Sequence, residues 1–376
     1  MVYLDYAAAT PIEKDVIDIF YDTSIKYFAN PNSIYKLGLD AKKMIEKETK
    51  NIADKLNILS DEIIYVSGAT EANNLAIKGI CDRYKSFGKH IIISSLEHTS
   101  VVASASILQE NGFEIDTINV NSDGLIDINE LKNLIREDTI LVSITSIDSE
   151  LGIRQPIEEI AKVLKEYPNI HFHTDASQAI GKVDIDLSDV DLITIAPHKF
   201  YGISDIALLI KKKKTELRPI INGGRSTTVY RSGTPNLPSI VALSKSIEIA
   251  LSKKDERYKY IEKINKEVKD FLSSYKEVEI NSTSNSIIHI INFSINGVNS
   301  NDFSKKLEEY EVYISPKTTC CPPNSPSKLV YALTHDKKRS TTSLRLSLSH
   351  LTTNSEIAEF KKVFDKCYKE FINGKV

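Results

Sequence analysis

From residue 63 to residue 211 the chain repeats one pattern: a short β-branched or apolar run, a polar turn, then a longer amphipathic stretch. The short runs read as strands at 63–67, 90–94, 113–120, 139–145, 170–174, 191–196 and 205–211. Strands separated by helices cannot close as hairpins and must cross over. The pattern therefore predicts an α/β fold, a mostly parallel sheet with helices on both faces. Open sheets of this kind bind ligands in the crevice outside the carboxyl ends of their strands. Two of the runs end there in reactive groups. One leads into Asp175-Ala176-Ser177-Gln178, the other into Pro197-His198-Lys199.

A carboxylate and a lysine delivered to one crevice suit pyridoxal phosphate. The lysine forms a Schiff base, and the carboxylate pairs with the protonated pyridine nitrogen so that the ring accepts electrons. On spacing alone, a salt bridge beside a solvated lysine fits as well. A second stretch bears on the choice. Gly68-Ala69-Thr70 follows a strand and opens a helix, where small residues let backbone amides and the helix dipole meet a phosphate, and the Thr70 hydroxyl adds a donor. Many strand-to-helix turns look the same. His98 stands just before another helix, a place where histidine also serves as a cap.

At 376 residues the chain suits a large domain with a smaller partner. Residues 15–250 form the expected large domain. Residues 251–376, with 1–14 added, form an expected α+β domain with strands at 277–280, 287–293, 312–314 and 343–348 and helices at 301–310 and 355–372. A long helical region over about 239–273 bridges the two. Nearer the N-terminus, helices are expected over 13–28, with Pro11 suiting its first turn, and up to residue 56, capped by Ser33. The net charge of −3 creates no field favouring nucleic acid or membrane. Lys211 to Lys214 read as a solvated strand end. The N-terminus lacks the regions of a signal peptide, and Cys81, Cys320, Cys321 and Cys367 show no metal spacing. Both point to the cytoplasm and to no metal site.

Seven motifs in order carry a resemblance: Leu4-Asp5-Tyr6-Ala7-Ala8-Ala9-Thr10-Pro11, Ser67-Gly68-Ala69-Thr70-Glu71-Ala72-Asn73-Asn74-Leu75-Ala76, Glu97-His98, Asp175-Ala176-Ser177-Gln178, His198-Lys199-Phe200-Tyr201-Gly202, Arg231-Ser232-Gly233-Thr234 and Leu344-Arg345-Leu346-Ser347-Leu348. The chain resembles the cysteine desulfurases, pyridoxal-phosphate enzymes of the class V aminotransferase group. That resemblance implies fold type I, the aspartate aminotransferase-like architecture. It implies that Lys199 holds the cofactor and moves the Cα proton, that Asp175 pairs with the pyridine nitrogen, that His98 stacks on the ring and that Gln178 bonds its phenolic oxygen. Ala69, Thr70 and His198 would bind the phosphate, with Thr234 reaching it from the other subunit of a homodimer. Arg345 would clamp the carboxylate of L-cysteine in a bidentate fork. Cys320, in a loop dense in turn residues, would be the nucleophile that takes the sulfur as a persulfide and passes it to an acceptor protein, either a scaffold for iron–sulfur clusters or a thiolation enzyme.

Three positions depart from the family's pattern. Ala196 stands where a phosphate-binding serine is usual, Ser149 replaces an asparagine that reaches toward cofactor and substrate, and the glycine-rich run after the lysine reads Gly202-Ile203-Ser204-Asp205. Each lost neutral hydrogen bond is expected to weaken binding by roughly 0.5–1.5 kcal/mol. Two other functions fit the same residues: another class V lyase or aminotransferase, or a cofactor-binding homologue serving as sulfur carrier or regulator.

Overall fold

The computed structural model describes residues 1–224, 226–316 and 326–373. Its first half runs β1 (Val2–Tyr3), α1 (Lys14–Lys26), α2 (Lys36–Leu56), β2 (Ile63–Val66), α3 (Ala69–Tyr84), β3 (His90–Ser94), α4 (Thr99–Gln109), β4 (Glu114–Ile118), α5 (Ile128–Leu134), β5 (Thr139–Ser143), α6 (Ile157–Leu164), β6 (His171–Asp175), β7 (Leu192–Ile195) and β8 (Ala207–Lys211). The rest comprises α7 (Leu237–Ser252), α8 (Lys254–Ser273), β9 (Val278–Ile280), β10 (Ile290–Ile295), α9 (Ser300–Glu308), β11 (Val312–Tyr313), α10 (Lys328–Thr334), α11 (Lys337–Thr341), β12 (Ser343–Ser347) and α12 (Asn354–Asn373).

Seven strands form the central sheet in the order β2-β8-β7-β6-β5-β3-β4. From β4 through β7 every neighbouring pair is parallel, whereas β8 runs antiparallel to β7 and to β2. The exception has a local cause. Between β7 and β8 the chain makes only a short 3-10 turn, Pro197–Lys199, too little for a crossover, so it doubles back. That turn carries His198 and Lys199 at the carboxyl end of β7.

Strand residues alternate between two cores, as a period of two requires. Ile92, Val142, Phe172, Ile193 and Leu208 face α2 and α7, while Ile91, Leu141, Leu192 and Leu209 face residues of α3 and α4. A fully buried side chain of this size contributes roughly 1.5–3 kcal/mol. The antiparallel sheet β12-β10-β9 has its own core, closed by α8, α9 and α12. At its centre Phe364 meets Phe271, Tyr275, Phe293, Phe303 and Phe360 with ring centroids 5.2 to 6.0 Å apart. Val2 and Leu4 belong to this second core although they begin the chain.

One expectation is refined and two are corrected. The helical region at 239–273 is two helices broken at Lys253, because α7 is apolar enough to bury against α1 and α2 while the amphipathic α8 turns to the second sheet. Ser33 does not cap α2. The helix starts at Lys36 behind Tyr35, and Ser33 instead closes a turn through its N–H to the Asn30 carbonyl at 3.0 Å. Gly38 packs on that turn, where a Cβ would lie 2.5 Å from the Ser33 oxygen. Nor is the 211–214 run simply solvated. Lys211 is 3% exposed and donates to the Thr215 carbonyl at 2.6 Å. The next three lysines lie 3.7, 3.8 and 3.1 Å from Glu62, Asp61 and Asp191.

Candidate active site

The turns after β6 and β7 open on one cavity of about 940 Å³. Its lining includes Ala69, Thr70, His98, Ser149, Asp175, Gln178, His198, Lys199 and Arg345, so nearly all the expected residues meet. Asp175 ends β6, nearly buried; its Oδ1 accepts from the Ser177 N–H at 3.0 Å and its Oδ2 from Asn73 Nδ2 at 2.8 Å. Asn73 Nδ2 also donates to Ser100 Oγ at 2.9 Å, and that hydroxyl lies 2.8 Å from His98 Nδ1. His98 caps α4, its Nδ1 accepting from the Ser100 N–H at 3.2 Å, which leaves the ring proton on Nε2. Burial holds the His98 pKa below its ordinary value, and the ring is neutral.

Lys199 Nζ donates to the carbonyls of Ala7 at 2.8 Å and Ala8 at 2.7 Å. Gln178 Nε2 donates to the same Ala7 oxygen at 2.9 Å. Thr10 closes the N-terminal segment onto the site, its N–H and hydroxyl donating to the His198 carbonyl at 3.1 and 3.0 Å. Burial, and then Lys199, push His198 down to about 4, so its imidazole is neutral too.

The helix α3 opens with Ala69 and Thr70, and a Cβ built on Gly68 would meet nothing within 4 Å, so the space over the helix end is open. Glu71, in the first turn, accepts from the Ser67 N–H at 2.7 Å and pairs with Arg231 at 2.9 Å. This pair ties the 231–236 loop to the helix start. Thr234 itself is exposed and does not line the cavity. Arg345, on β12, is 2% exposed; its Nη1 donates to the Ser149 carbonyl and its Nη2 to Asp5 Oδ1, both at 2.6 Å. Ser149 takes part through its backbone, in a loop held by the Asp148 carboxylate, which accepts from the N–H groups of Glu150, Leu151 and Ile153. Cys320 lies outside the described residues. The described ends of its segment sit at the site: Ser315 exchanges backbone hydrogen bonds with Arg345 at 3.1 and 2.7 Å, and residues 326–329 line the cavity.

Several functional residues carried no role in the sequence reading. Asn73 had a signal: an amide on the face of α3 that buries Ala72 and Ala76. Glu97 also lines the cavity; burial pushes its carboxyl up to about 8, although Oε1 accepts from Ser94 Oγ at 2.7 Å and the Thr145 N–H at 2.6 Å. Asp5 and Ala7 were legible only as part of the Leu4–Pro11 motif, with no role for either.

Ser95 Oγ, Ser177 Oγ and His198 Nδ1 are buried at this cavity without a hydrogen-bond partner among the described residues. With an open helix end, a carboxylate and a lysine, the residues present fit a phosphorylated pyridine aldehyde. That donor set, rather than the fold, is what suits an enzyme that transforms amino acids. The family model for class V aminotransferases matches residues 2–360, and the chain belongs to that family, among its cysteine desulfurases. It is 36% identical over 365 residues to a cysteine desulfurase IscS of Dictyoglomus turgidum, covering 95% of this chain and 91% of that one. A solved NifS-like protein superposes with a TM-score of 0.92 at 28% identity, covering 98% of this chain and 99% of that one. A structure described as SspA in complex with cysteine superposes at 0.80 with 30% identity, covering 94% and 100%. The family is pyridoxal-phosphate-dependent. Among the described residues, no helix is long and apolar enough to cross a membrane, and no group of three or more His, Cys, Asp or Glu is placed to hold a metal ion.

Proposed function

We propose that this chain is a cysteine desulfurase that holds pyridoxal phosphate at Lys199, moves the sulfur of L-cysteine onto Cys320 and releases alanine. The observation that carries this reading is convergence. Lys199, Asp175 and Arg345 share one cavity with both described ends of the segment bearing Cys320.

Bound there, the cofactor supplies an electron sink for charge developing at the Cα of the amino acid. Asp175, its two oxygens already oriented by Ser177 and Asn73, holds a proton on the pyridine nitrogen. Ala69, Thr70 and His198 hold the phosphate, and His98 presents a neutral ring to stack. Arg345, steadied by Asp5 and the Ser149 carbonyl, takes the substrate carboxylate. The Lys199 amine, set by two carbonyls, takes the Cα proton and later returns it. The Cys320 thiolate attacks the substrate sulfur: an S–S bond forms and the Cβ–S bond breaks. The proton that the Cys320 thiol gave up goes to Cβ, which with the proton Lys199 returns to Cα completes alanine.

The solved relative described as a complex with cysteine supports the substrate. A homodimer is supported by the exposed Thr234 loop and by the exposed apolar side chains of Tyr21, Ile25, Phe28, Ile34 and Tyr35. Two domains, 15–250 and 251–376 with 1–14, are supported by the separate cores and by Val2 and Leu4 in the second. We place the enzyme in the cytoplasm, with an iron–sulfur scaffold or a thiolation enzyme as acceptor. Measuring alanine and protein persulfide from L-cysteine tests the function. Cys320→Ala is expected to abolish both, and Cys321→Ala to retain a substantial part of each. The reverse pattern would move the nucleophile by one residue, and full activity in both variants would remove the segment from the reaction.

A further inference from the structure

The Gln178 amide is pinned at both ends. Its Nε2 donates to the Ala7 carbonyl at 2.9 Å, and its Oε1 accepts from the amine of Lys182. A carbonyl only accepts, so the flipped amide would set two oxygens against each other, and Lys182 supplies the donor that Oε1 then needs. One Nε2 hydrogen remains. Gln178 lines the large cavity while Lys182 does not; Lys182 lines a second cavity of about 20 Å³ behind Lys199, shared with Arg257, His289 and His350. The lysine thus backs the amide from the side away from the substrate. A buried amine costs more to desolvate than an apolar side chain of the same length, so its presence calls for a partner, and Gln178 is that partner.

We propose that Lys182 is a positioning residue that fixes the Gln178 amide so that an N–H, not a carbonyl oxygen, faces the phenolic oxygen of the cofactor. The inference rests on the reading that pyridoxal phosphate occupies the large cavity. Lys199 and Arg345 are the charged groups that bear on Lys182, and with burial, the larger cause, they bring its pKa down to about 7. Its own charge acts in turn on His198 and His289, which burial keeps neutral at values of about 4 and about 3. Charged or neutral, the amine keeps an N–H for Oε1, more strongly when charged, so the amide stays set across this range.

The test is the pH at which the visible absorbance of the holoenzyme changes form. A donor on the phenolic oxygen favours its anion and lowers that midpoint; losing the donor raises it. Gln178→Ala is expected to raise the midpoint by about one pH unit, the tenfold change that loss of one hydrogen bond to a charged oxygen produces. Lys182→Met is expected to raise it comparably, and the double variant no further. Lys182→Gln, which keeps a donor toward Gln178, is expected to stay near wild type. An unmoved midpoint in Lys182→Met, additive shifts in the double variant, or a Lys182→Gln shift as large as that of Lys182→Met would each overturn the proposal. Borohydride trapping of the cofactor on Lys199 accompanies every measurement. Trapping at Lys199 with an unmoved midpoint overturns this inference alone, whereas wild-type protein with no label there overturns the cofactor reading and this inference with it.

Discussion

Arg345 shows how one side chain is made ready by residues far from it in sequence. Its guanidinium is held by Asp5 and by a backbone carbonyl, so its orientation is set before a substrate arrives. Lysine lacks the planar fork, and a charged hydrogen bond contributes about 1.5–3 kcal/mol. Arg345→Lys is therefore expected to raise the KM for L-cysteine about tenfold or more in steady-state assays; an unchanged KM would put the substrate carboxylate elsewhere. Glu97 makes a prediction in pH. Its folded pKa, about 8, lies above the unfolded value of about 4.3. Between those values the folded protein keeps a proton that the unfolded chain has released, so stability is full below about 4.3 and falls as pH rises through 8. Glu97→Gln, isosteric and uncharged, is expected to melt near wild type at about pH 5 and above it at about pH 9. Equal loss of stability at both would show that the carboxyl is not buried as an acid.

At the scale of elements, α3 is tied to β6 and α4 by one amide. Asn73→Leu would leave Asp175 Oδ2 and Ser100 Oγ without their donor. We expect it to lower stability by about 1–3 kcal/mol in urea unfolding and to loosen the cofactor; a change under about 0.5 kcal/mol would mean that water replaces the amide. The strands, α3 and the Asp175 and Lys199 turns were legible in the sequence because a period of two and a strand-to-helix turn are local signals. The break at Lys253 was not. Helix propensity continues through it, and only the change of packing partner, from α1 and α2 to the second sheet, stops α7. The N-terminal segment was legible as a motif but not as a strap. Its bonds to His198, Lys199 and Arg345 span from 188 to 340 residues, and no local pattern reports such contacts. Lys182 was missed for the same kind of reason: its partner is four residues away, but its burial is decided by distant chain.

At the scale of the molecule, two cores share one cavity, and the strap from the first residues crosses between them. Lys199 and Asp175 come from the central sheet and Arg345 from the second, so the site is complete only when both are in register. The proposed homodimer adds a further dependence. If Thr234 reaches the partner's phosphate, Thr234→Ala loosens the cofactor, and dilution of the wild-type protein does the same because Ala196 offers no hydroxyl there. A monomer by gel filtration that keeps the cofactor tightly would contradict this. The most direct test of the whole account is reduction of the holoenzyme with borohydride followed by peptide mapping. The account predicts a single cofactor-labelled peptide modified at Lys199, with the label lost in Lys199→Ala. A label on another lysine, or none after pyridoxal phosphate is added, would contradict it.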